Sequence, residues 1–140
     1  DVNEVISAYH LPEIRTDLIP VIRDHARSAM DISDGLLSDA DHLARANRLM
    51  IRLDLNRVPT SLSARAAIAS GISPVDLVTG GDDYQILCTA DDTSAKALIM
   101  AGFYEIGTCL GLSDDTPAGA ELWADDRRLD VAKKGFAHPL

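Results

Sequence analysis

Aromatic side chains are scarce in this chain. Two Phe, three Tyr and one Trp make up 4% of 140 residues. Its core is therefore expected to be aliphatic, built from Leu, Ile, Val and Ala, and the 46% hydrophobic content suffices for one domain of this length. Positive charge is also in deficit: 13 Lys and Arg stand against 22 Asp and Glu, a formal net charge of −9. Such a surface repels nucleic acid and anionic lipid. A polyanionic ligand such as a nucleotide would need a metal ion or a nest of backbone N–H groups to bind here. The two cysteines, Cys88 and Cys109, are too few for a disulfide framework and lie inside apolar runs. They read as buried free thiols of a cytoplasmic protein. No run approaches the roughly 20 apolar residues of a membrane span, and no signal peptide is visible. The chain also lacks an initial Met and opens on the helix-like "DVNEVISAYH". It reads as a piece cut from a longer protein, the alternative being removal of an initiator or tag.

What is present is a mixture of short periodic segments. Helices are expected over Val2–Tyr9, 17–26, 34–47, 61–69, 74–78 and 94–101. Strands are expected over 29–32, 49–55, 84–89 and 103–110, with a hairpin of 121–124 and 128–131 around Asp125-Asp126. The strongest helix carries an apolar stripe of Leu36, Ala40, Leu43 and Ala44. Asp91 and its neighbours cap the helix that begins near Ser94. The segment 111–119 is a polar loop. Helices and strands mix without strict βαβ alternation, which points to an α+β fold with a mixed sheet and helices on its faces.

The unusual stretch is "AMDISDGLLSDADHL", residues 29–43, with Asp31, Asp34, Asp39 and Asp41 inside eleven residues. One carboxylate at a strand-to-helix junction is an ordinary cap for orphan N–H groups, and Asp31 or Ser33 would serve. Two within one turn repel each other unless a cation lies between them. Asp31 and Asp34 are thus candidate ligands for Mg²⁺, which prefers hard oxygens, one or two carboxylates plus phosphate. A second cluster, Thr79-Gly80-Gly81-Asp82-Asp83-Tyr84, offers close backbone approach beside a strand, or is simply a tight turn. It is neither a Walker loop nor a dinucleotide fingerprint. The four histidines, His10, His25, His42 and His138, have no metal-binding spacing. Trp123 and Phe136 are either core or ligand-facing.

Taken together, "DISDGLLSD", then "GGDDYQIL", then a terminal "KGFAH" resemble thiamine-monophosphate kinase, with the upstream "AYHLPEIR" resembling the lead into that family's C-terminal domain. The resemblance covers essentially the whole chain but only the C-terminal half of the family's protein. It implies a three-layer α/β/α arrangement within the aminoimidazole ribonucleotide synthetase-related superfamily. It implies transfer of the γ-phosphoryl of ATP to thiamine monophosphate, with Mg²⁺ held by Asp31 and Asp34. Ser33 is then an ATP contact, and Asp82 and Phe136 are substrate contacts. An aromatic wall suits a flat pyrimidine and a cationic thiazolium. The resemblance also implies a homodimer formed through an N-terminal domain that this chain lacks, and an isolated domain that is inactive. Gln85 departs from the family, which has Glu there. Two other readings stay open at this point: a stand-alone, non-catalytic phosphate- or metal-binding module, and a related ATP-dependent enzyme with another substrate.

Overall fold

A computed structural model describes Ile6 and residues 10–135. The helix expected over Val2–Tyr9 lies outside the described residues except for Ile6, and Phe136 and His138 lie outside them altogether. A 3-10 turn, Thr16–Leu18, leads into α1 (Ile19–His25), with Pro20 in the first turn where its missing N–H costs nothing. β1 (Ser28–Asp31) follows, then α2 (Leu36–Asn47) and β2 (Leu49–Asp54). Arg48 joins the last two in a left-handed conformation, its N–H closing on the carbonyls of Ala44 and Arg45. Next come α3 (Leu62–Ala69), α4 (Pro74–Thr79), β3 (Ile86–Thr89) and α5 (Asp92–Met100). β4 (Gly107–Gly111), β5 (Gly119–Ala124) and β6 (Arg127–Arg128) complete the order.

The class is α+β with a mixed sheet, as expected. Four strands lie in the order β4-β2-β5-β6, with β2 antiparallel to β4 and parallel to β5. β1 and β3 form a separate antiparallel ribbon in the register Ser28↔Thr89 to Asp31↔Ile86. The element that joins them is α2, which packs against β2, β5 and β1. Its Leu37, Ala40 and Ala44 are essentially inaccessible and meet Ile51, Leu53, Ala120 and Leu122 from the sheet. The core is aliphatic throughout. Each fully buried leucine contributes about 1.5–3 kcal/mol relative to exposure.

Local signals fare well at the other ends. Ser61, Ser73 and Asp91 cap their helices by accepting from Ala64, Val75 and Ser94 N–H. Asp125 and Asp126 both have positive φ, as a two-residue hairpin turn of the primed type requires. The thiols are a correction. Cys109 is exposed and Cys88 is only half-buried, although both are free. β4 is an edge strand, so its apolar sequence does not guarantee cover. Both thiols line an apolar cleft of about 580 Å³ between the ribbon and the sheet, where partial desolvation raises their pKa. Trp123 is half-buried and carries the Arg52 guanidinium over its ring at 4.8 Å, which accounts for it without a ligand. Among the described residues, no helix is long and apolar enough to cross a membrane.

Candidate functional site

The ladder between β1 and β3 does not stop where the strands do. Beyond Asp31, Ile32 N–H donates to Gln85 O at 2.9 Å and Tyr84 N–H to Ile32 O at 2.7 Å. Asp82 N–H then donates to Ser33 O at 2.9 Å. Two loops, 32–35 and 80–84, are thereby zipped backbone to backbone. Ile32 anchors the first in the core at 6% exposure, while Asp31 is exposed and Ser33 and Asp34 are half-buried. Asp82 and Tyr84 both take positive φ, 64° and 55°, and the Tyr84 hydroxyl donates to Asp82 Oδ1 at 2.8 Å.

Glycine is required where these loops meet. A Cβ on Gly81 would lie 2.6 Å from Ser33 O, and one on Gly35, at φ 119°, would lie 2.9 Å from both Thr79 O and Gly80 O. A third segment arrives from the chain's end. Gly135 is buried, and a Cβ there would stand 2.5 Å from Asp34 O and from Ser38 Cβ. Three stretches that are far apart in sequence therefore touch at Ser33 and Asp34. A crevice of about 460 Å³ opens beside them, lined by Thr79, Gly80, Gly81, Lys133 and Gly135 among others.

The helix start differs from expectation. Neither Asp31 nor Ser33 caps α2: the N-cap is Gly35, which offers no side chain. The orphan N–H groups of Ser33 and Asp34 are met instead by Asp39, whose Oδ2 accepts from them at 2.8 and 3.0 Å. His42 Nδ1 stands 3.7 Å from the other oxygen, Oδ1. Asp34, Asp39 and His42 each bring a ligand atom within 4.8 Å of the others. Two carboxylates and an imidazole form a donor set that suits a hard divalent cation in part. Asp39 commits only its Oδ2 to the loop.

Asp41 does different work. Its Oδ1 accepts from Lys134 Nζ at 2.6 Å and Ala120 N–H at 2.9 Å, and its Oδ2 from Arg45 Nε at 2.6 Å. Partial burial would raise this carboxyl, but the bonds from Arg45, Lys134 and Ala120 win and hold it at about 2. Lys134 also donates to Ala120 O at 3.0 Å, which ties the residue before Gly135 to β5. Asp83 lines the apolar cleft, and desolvation raises its carboxyl even though the residue as a whole is exposed.

No protein-family model matches the chain. Thiamine-monophosphate kinase of Caulobacter vibrioides is 40% identical over 101 residues, which cover 69% of this chain and 29% of the relative. The enzyme of the same name from Escherichia coli is 29% identical over 144 residues, covering 99% of this chain and 43% of the relative. The chain is a homologue of thiamine-monophosphate kinase. The fold agrees: the solved structure of AaThiL complexed with AMPPCP and TMP matches 95% of this chain and 40% of that one, with 27% identity and a TM-score of 0.74. The chain thus spans less than half the length of these thiamine-monophosphate kinase relatives.

Of the residues singled out by sequence, Ser33, Asp34 and Asp82 share one backbone-bonded junction, and Asp31 sits at its strand-end rim. Phe136 follows Gly135 but is outside the described residues. Sequence reasoning named Asp39 and Asp41 only as members of the aspartate cluster and gave His42 no metal-binding spacing, whereas the fold brings His42 beside Asp34 and Asp39. A signal for Asp39 was available: Leu36, Asp39, Ala40 and Leu43 recur at helical spacing, so a charged residue stands inside an apolar stripe. Asp41 had no such signal, because its partners Ala120 and Lys134 are distant in sequence.

Proposed function

We propose that this chain is the C-terminal domain of a two-domain kinase that transfers the γ-phosphoryl of ATP to thiamine monophosphate, giving thiamine diphosphate. One observation carries the reading: the Asp31–Gly35 loop touches both the Gly80–Asp82 turn and Gly135, so the three motifs of the resemblance form one surface. Relatives of this name, and a neighbour complexed with an ATP analogue and TMP, support it. In this reading Asp31 and Asp34 hold Mg²⁺, and Ser33 contacts ATP. When bound, the metal neutralises phosphate charge. The protein's share is positioning: the zipped loops fix Ser33 and Asp34, and Asp82 and Phe136 are the residues assigned to substrate binding. A crevice with Lys133 on its wall opens beside Gly80 and Gly81, next to these loops. The remainder of the two-domain polypeptide supplies the rest of the nucleotide pocket and a homodimer contact. It works in the cytoplasm, and the 140-residue chain alone is inactive.

The test uses the full natural polypeptide that contains this chain. With Mg²⁺, it should form thiamine diphosphate from ATP and thiamine monophosphate. Asp31→Asn and Asp34→Asn should each lower kcat/KM by about 10²-fold or more, the usual scale for lost electrostatic stabilisation. Phe136→Ala should raise KM for thiamine monophosphate and leave KM for ATP nearly unchanged. No product from the wild type, or full activity in both Asp variants, refutes the assignment.

A further inference from the structure

Asp39 is the one buried charged residue among the described residues, at 1% exposure. A carboxylate is costly in such a place unless bonded. It lies four residues after Gly35, whose carbonyl accepts from Asp39 N–H at 2.9 Å, so it belongs to the first turn of α2. From there the side chain turns back beyond the helix start and takes the N–H groups of Ser33 and Asp34 on one oxygen. A cap from the preceding residue would satisfy the helix. This arrangement satisfies the loop instead. It fixes the loop at its N–H groups, while Gly81 meets the Ser33 carbonyl.

We propose that Asp39 is a positioning residue that clamps the Ser33–Asp34 backbone and so aims both side chains at the Mg²⁺–nucleotide. This inference rests on the function proposed for the loop. The negative charge matters because a carboxylate accepts only, and bonds to it are roughly twice as strong as neutral ones. Asn is nearly isosteric. Its amide oxygen can still face the two N–H groups, but without charge, and its NH₂ then faces His42, which is 58% exposed on its outer side. The helix keeps its shape while the loop loosens.

Two measurements on the full natural polypeptide test this. The first is binding of Mg²⁺ with AMPPCP by calorimetry, which needs no turnover. Asp39→Asn should weaken it about tenfold, the scale on which residues behind a metal ligand act. Leu122→Ala serves as the control for simple destabilisation, because Leu122 is a fully buried leucine of β5 and not a residue of the loop. Its binding should stay within about twofold of wild type at a temperature where both are folded. The second measurement is amide hydrogen exchange without metal or nucleotide. Ser33 and Asp34 N–H should be protected in the wild type, and exchange should rise at least about tenfold in Asp39→Asn while β2 and β5 amides hold.

Unprotected Ser33 and Asp34 amides in the wild type would overturn the clamp, even if Asp39→Asn fails to fold. Loosened amides with unchanged binding would overturn its role in aiming. Equal loss of binding in Leu122→Ala would reduce Asp39 to a structural residue. A wild type that binds Mg²⁺ with AMPPCP but does not phosphorylate thiamine monophosphate refutes the proposed reaction alone, and the Asp39 comparison still decides the clamp. A wild type that binds no nucleotide overturns both.

Discussion

Asp41→Asn is the sharpest probe of what holds the chain's end against the loop. The wild-type carboxyl sits at about 2, against 3.8 for an unperturbed aspartate. That gap corresponds to roughly 2 kcal/mol. The figure is an upper bound, because Arg45 and Lys134 are 61% and 43% exposed and water screens them. About 1–2 kcal/mol is expected in practice. The direction follows from linkage. A depressed folded-state pKa means that the unfolded chain binds the proton first as pH falls. The stabilisation is complete well above 3.8 and is lost as pH falls through about 2. At pH 3 roughly half should remain. Asn does not titrate. Urea unfolding of the wild type and Asp41→Asn, followed by circular dichroism, should therefore show a stability gap at pH 7 that narrows to about half at pH 3. A gap that is constant between those pH values, or that widens toward acid, would refute the ion-paired picture of Asp41, Lys134 and Arg45.

Two further outcomes follow from packing. Gly81→Ala puts a Cβ 2.6 Å from Ser33 O, so the two loops must part by at least about 0.4 Å to reach even a tight 3.0 Å contact. The Asp82-to-Ser33 bond should weaken and stability should fall by about 1–3 kcal/mol, read as a lower midpoint in thermal unfolding; an unchanged midpoint would mean that the loops are not in contact. Leu53→Ala should cost about 2–5 kcal/mol in denaturant unfolding with little change in m, since Leu53 is 1% exposed at the centre of the core. A cost below about 1 kcal/mol would show that the site collapses to fill the space.

These residues also separate what the sequence makes legible from what it does not. The stripe on α2, the cap at Asp91 and the turn at Asp125-Asp126 are decided within a few residues, by periodicity, orphan N–H groups and φ preference. All could be read directly. Glycine carries half of a longer message. Gly81 announces that something comes close but not that Ser33 O is what comes, because the approaching partner lies about fifty residues away in the chain. Edge position is equally non-local, which is why apolar neighbours misjudged Cys109.

The four aspartates divide along the same line. Their crowding at residues 31–41 is visible in sequence, and the pair Asp31 and Asp34 suggests a cation. In the fold, Asp39 and Asp41 are each bonded to specific protein groups. Asp39 answers the N–H groups of Ser33 and Asp34, and Asp41 answers Arg45, Lys134 and Ala120. A helix makes that division possible, because residues two apart point about 200° around the axis and so cannot serve one ligand. Asp39 therefore faces the loop and Asp41 the sheet and tail. Asp31 and Asp34 remain the pair proposed for Mg²⁺. Replacing either with Asn should weaken Mg²⁺ binding and lower activity in the full natural polypeptide without unfolding it.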